Sequence, residues 1–163
     1  MTDYKTYIDN GIEKIHNGKF QDAIDDITKS IELKNDWEIS YFYRGVANQA
    51  LERFDDAILD YTKAIQLNEK MTDAYYNKAR IILSRKDIPN PDVNQAVKDL
   101  EKALKLDNKF IDALFAMAAA QKKLGEYHKA LEYLEKLLEI EPQAVNAKAL
   151  KQLILQKYIV KND

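Results

Sequence analysis

The residues best suited to chemistry are two pairs of neighbouring carboxylates, Asp25–Asp26 and Asp55–Asp56. Side by side, two carboxylates can hold a divalent cation or divide the work of acid and base. Here the pairs recur at similar places, early in what read as helices, where negative charge suits the positive end of the helix dipole. Adjacent helical residues also point about 100° apart and would share one ion poorly. The pairs therefore read as architecture. His16 and His128 lie far apart, belong to no spaced ligand set, and are expected on the solvated surface. Ser30, Ser40 and Ser84 stand in no nucleophile-elbow sequence. The chain has no cysteine, which excludes a disulfide framework, a thiolate metal site and a cysteine nucleophile. No glycine lies in a phosphate-cradling loop. These residues assemble no active site, and the chain is expected to be no enzyme and to carry neither metal nor cofactor.

The elements that hold these residues are legible from a repeat. Ala23, Ala57, Ala96 and Ala130 are spaced 34, 39 and 34 residues apart, and Gly11, Gly45, Ala79 and Ala118 are spaced 34, 34 and 39. Around each alanine the columns agree. Three residues before stand Phe20, Phe54, Val93 and Tyr127; four after stand Ile27, Tyr61, Leu100 and Leu134; the unit closes on Leu33, Leu67, Leu106 and Ile140. Steps of three and four place these side chains on one helical stripe. In the first half of each unit, Tyr7, Tyr41, Tyr75 and Leu114 stand four residues before the small residue and share its face. Each unit is thus helix, turn, helix, and the units fall at 4–37, 38–71, 72–110 and 111–144. The third carries five extra residues, in the stretch from Lys86 to Pro91. Gly18 and Gly125 mark turns that need a left-handed backbone. The lone Trp37 closes the first unit, where Met71, Phe110 and Ala144 close the others, and is expected to pack between units.

Four concordant copies of a 34-residue, two-helix unit resemble the tetratricopeptide repeat family. The resemblance covers nearly everything before Val145. It implies an all-α, right-handed α-solenoid of antiparallel helix pairs, with the first helix of each pair lining a concave face that binds another protein or peptide. On that face the first helices would present Ile8 and Ile12, with Ile15, in unit one; Phe42, Tyr43 and Val46, with Gln49, in unit two; Tyr76, Asn77 and Arg80, with Leu83, in unit three; and Phe115, Ala119 and Lys122 in unit four. The expected groove is apolar and aromatic in its amino-terminal half and more basic toward its carboxyl-terminal half. Members of the family that serve heat-shock chaperones grip a terminal carboxylate with two lysines, two asparagines and an arginine. The matching places here hold Ile8, Ile12, Tyr43, Asp73 and Asn77, so a clamp of that type is not expected.

Bulk properties bound the rest. The chain has 163 residues, 46% hydrophobic and 32% charged, with a formal net charge of −2. So balanced a surface argues against a general nucleic-acid or membrane-surface binder. No apolar run approaches the ~20 residues of a membrane span. Met1 to Tyr7 lacks the pattern of a secretion signal, so a cytoplasmic location is expected. No linker rich in Pro, Gly or Ser divides the chain, and residues 1–163 are expected to form one domain.

A last helix over about 142–160, starting at Pro142, should cover the fourth unit with the stripe Ala147, Leu150, Leu153, Ile154 and Tyr158. Leu155 and Ile159 fall to one side of that stripe and are expected either to be covered by the rim of the groove or to form a weak homo-oligomer contact. The function expected is a non-enzymatic adaptor or scaffold. The alternative is a structural protein that assembles with itself.

Overall fold

The computed structural model describes residues 3–85 and 90–159. Among them nine α-helices follow one another: α1 (Tyr4–His16), α2 (Phe20–Leu33), α3 (Glu38–Ala50), α4 (Phe54–Leu67), α5 (Thr72–Ser84), α6 (Asn90–Leu106), α7 (Ile111–Lys123), α8 (Tyr127–Ile140) and α9 (Val145–Ile154), with a π-helical turn at Leu155–Ile159. The helices fall in pairs on the expected units. Each alanine of the repeat, Ala23, Ala57, Ala96 and Ala130, is fully buried, as are Ala79 and Ala118 of the small-residue column. A methyl group added at Gly45 would stand 2.9 Å from the Tyr61 ring. The small residue is therefore what lets α3 lie against α4.

The turns inside units one, two and four share one backbone solution. Gly18 and Gly125 have positive φ, 72° and 80°. The amide after each reaches back five residues, Lys19 N to Lys14 O and Glu126 N to Gln121 O, and closes the preceding helix. Unit two makes the same turn with Arg53 N to Asn48 O, but Glu52 occupies the left-handed position at φ 57°. Of the five extra residues, 86–89 lie outside the described structure; α6 begins at Asn90.

The chain divides into two compact units, with the boundary between Ile81 and Ile82, inside α5. In the first, α1 packs on α2, α2 on α3, and α3 on α4. Its core has two centres. Ile8, Ala23, Ile27 and Ala47 form one, and Ala57, Tyr61, Ala74 and Ile81 the other. Trp37 meets the Tyr4 ring edge-on at 5.0 Å, joining the first two repeats as expected. Ser30 also ties them: its hydroxyl donates to the Tyr4 carbonyl and lies 3.0 Å from the buried Ser40 hydroxyl.

In the second unit α6 packs on α7, α7 on α8, and α8 on α9. Leu114, Ala118, Ala130, Leu134, Leu137, Ala147 and Ile154 make its core. The last helix starts later than the sequence suggests. Pro142 lies in the turn before α9, which begins at Val145. Ala147 and Ile154 are buried as expected, and Tyr158 stacks on Tyr127 at 4.1 Å. Leu153 is 44% exposed instead of packed. At 100° per residue it stands 120° from Ala147, outside the face that touches α8.

Candidate peptide-binding face

The carboxylates settle first. Asp26 and Asp60 turn inward from α2 and α4 and are nearly buried. Lys14 of α1 donates to Asp26, and Lys29 stands 3.5 Å from it. Arg44 of α3 grips Asp60 with Nε at 3.0 Å and Nη2 at 2.7 Å, and Asn48 Nδ2 donates at 3.0 Å. These are latches between the two helices of a repeat, satisfied by their own cations. Asp99, also buried, stands in the same column. Asp26, Asp60 and Asp99 are spaced 34 and 39 residues apart, each three residues after a repeat alanine. That periodicity was the sequence signal for the latches, and reading the acids as adjacent pairs obscured it. His16 and His128 are exposed. Among the described residues no three or more of His, Asp and Glu gather where they could hold a metal ion, and no helix is long and apolar enough to cross a membrane.

The first-helix residues divide more finely than the sequence suggests. Ile8 is only 1% exposed and belongs to the core beside Ala23 and Ile27, so it presents nothing to a partner. Its column continues as Phe42, Tyr76 and Phe115, all half-buried. The same position buries an isoleucine and leaves the larger aromatic side chains partly exposed. Ile12 and Tyr43 are half-buried and pack on the Ile8 cluster; Phe42 and Val46 pack on the Tyr61 cluster. Phe42 meets Tyr43 edge-on at 5.3 Å and tilts against Tyr61 at 5.8 Å. Each of these side chains thus packs on a core cluster and keeps part of its surface in solvent.

Beside them in the first compact unit is a pocket of about 370 Å³ lined by Val46, Gln49, Ala50, Tyr61, Asn77 and Arg80. Tyr61 is fully buried, and its hydroxyl donates to Gln49 Oε1 at 2.8 Å. Burial pushes the Tyr61 hydroxyl well above its ordinary pKa, with the nearby Arg80 charge opposing the shift. Arg80 itself is exposed and lies over the Tyr76 ring, 5.9 Å from its centre.

In the second compact unit Ala119 and Lys122 of α7 are partly exposed, and Phe115 lines a separate pocket of about 320 Å³ with Leu137, Ala144 and Val145. Leu155 is half-buried, not exposed. The Ile159 side chain lies outside the described residues.

Comparison with known proteins agrees with this architecture. Residues 39–71 match the tetratricopeptide repeat model, and residues 111–161 match the Fis1 C-terminal tetratricopeptide repeat. No curated protein matches the sequence. The fold is similar to that of MamA, with a TM-score of 0.85 at 23% identity over 94% of this chain and 81% of that one. It is similar to YrrB, described as a tetratricopeptide-repeat protein with an unusual peptide-binding site, with a TM-score of 0.82 at 18% identity over 94% and 77% of the two chains. The first such domain of Spaghetti (RPAP3), solved with the HSP90 peptide SRMEEVD, matches with a TM-score of 0.69 at 23% identity over 75% and 93%. The chain is a tetratricopeptide-repeat protein with an all-α helical-repeat fold.

Proposed function

We propose that this protein is a non-enzymatic adaptor that binds an extended or helical segment of another protein along its first helices, without a terminal-carboxylate clamp. The observation that carries this reading is the set of half-buried apolar and aromatic side chains on α1, α3 and α5, Ile12, Phe42, Tyr43, Val46 and Tyr76, next to a pocket with polar lining. Rigid aromatics with one end free are the usual anchors of recognition surfaces. Two of the structural relatives are described by their peptide binding, which fits the same use of the fold. The clamp is disfavoured because Asp73 puts an exposed carboxylate where a cation belongs, and Ile8, at another clamp position, is buried.

Selection from a library of random dodecapeptides tests the reading. Peptides should be enriched, and replacing Tyr43 and Tyr76 by alanine should weaken their binding by about 2–4 kcal/mol in total. Failure to enrich any peptide, or enrichment indifferent to both tyrosines, refutes it. Sedimentation tests self-assembly, the alternative: a monomer at all concentrations excludes it.

A further inference from the structure

The pocket beside Tyr61 in the first compact unit has a chemistry that apolar burial along the first helices does not use. Val46 and Ala50 form an apolar wall, and Tyr61 closes it. Three polar residues line the space with them: Arg80, Gln49 and Asn77. Among the described residues no carboxylate lines it. Asn77 and Arg80 stand three residues apart on α5 and so share one face.

We infer that this pocket is a subsite for an acidic side chain, aspartate or glutamate, within the bound segment. The inference rests on the peptide-binding reading and names what one position of the peptide must carry. The Tyr61 hydroxyl donates to the Gln49 amide oxygen, which leaves the NH₂ pair of that amide turned away from Tyr61 as a donor. Arg80 is restrained by the Tyr76 ring beneath it, so less freedom is lost when it is engaged. A carboxylate placed here meets one cation and two amide donors beside an apolar wall, where charge-assisted hydrogen bonds are stronger than in open water. A neutral or cationic side chain would leave the guanidinium without a counter-charge and gain nothing from its field. The chemistry called for is an internal acid. A chain terminus is a different source of carboxylate, and the test withholds it.

Random dodecapeptides are displayed with their carboxyl ends fused to a phage coat protein, so that Asp and Glu side chains are the only carboxylates they offer. The wild type should enrich peptides sharing one acidic position. Amidated synthetic copies with Glu→Gln or Asp→Asn at that position should bind about tenfold more weakly. Arg80→Glu, a change at an exposed side chain whose folding is checked by circular dichroism, should instead enrich Lys or Arg there. Peptides that depend on Tyr43 and Tyr76 but share no acidic position, or that bind equally well after Glu→Gln, overturn the subsite and leave the peptide-binding reading standing. If no peptide is enriched, or none responds to the tyrosine changes, that reading fails and the subsite falls with it.

Discussion

Glu52 shows how a single residue can depart from a repeat without breaking it. The turns inside units one, two and four each need a left-handed residue, and Gly18 and Gly125 supply it at no steric cost. Glu52 adopts the same conformation against its preference because the flanking hydrogen bonds impose it. Glu52→Gly should therefore raise stability by about 0.5–1 kcal/mol, the relieved strain outweighing the added freedom of the unfolded chain. A higher urea midpoint with an unchanged slope would show it; a lower midpoint would mean that the glutamate side chain contributes more than its backbone costs. The two glycines were legible as turn residues because glycine announces the conformation. Glu52 was not, because only its register in the repeat places it there. The spacing of Asp26, Asp60 and Asp99 marked a column of acids, but not that they are buried, for a related reason. Whether Asp60 faces solvent or core depends on Arg44 and Asn48, which lie 16 and 12 residues earlier and reach it only after α3 and α4 have paired.

At the scale of elements, the helix boundaries followed from the columns because a two-helix unit fixes where its turns must fall. The last helix has no repeat to align with, and there the reading drifted. Pro142 suits a first helical position, but the turn of Pro142 and Gln143 delays α9 to Val145. The helix then shows α8 a face centred on Ala147 and Ile154, leaving Leu153 outside. Two substitutions on one helix separate these environments. Ile154 is fully buried, so Ile154→Ala should cost about 2–5 kcal/mol by removing apolar contacts and leaving a cavity. Leu153→Ala should change stability by no more than about 0.5 kcal/mol. Denaturant titration of the two variants checks the assignment; equal losses would place Leu153 in the core after all.

At the scale of the whole molecule, the repeat made the fold class readable, whereas the division into compact units was not. Their boundary falls within α5, with no change of composition to mark it. The proposed binding face was readable only in outline. One helical column runs through Ile8, Phe42, Tyr76 and Phe115, and pattern alone cannot say how deep each side chain sinks. Depth separates folding from binding in this molecule. Ile8 packs with Ala23, Ile27 and Ala47, so Ile8→Ala should lower stability by about 2–5 kcal/mol. Because Ile8 presents no surface, the variant molecules that remain folded should bind a selected peptide with unchanged affinity. Tyr76 has the opposite balance: half-buried under Arg80, it should lose affinity on truncation to alanine while costing less stability than Ile8→Ala. Calorimetric titration below the melting transition, paired with thermal unfolding of each variant, tests the separation. If Ile8→Ala weakens binding as much as Tyr76→Ala does at equal folded fraction, the peptide reaches deeper between α1 and α3 than the burial of Ile8 allows.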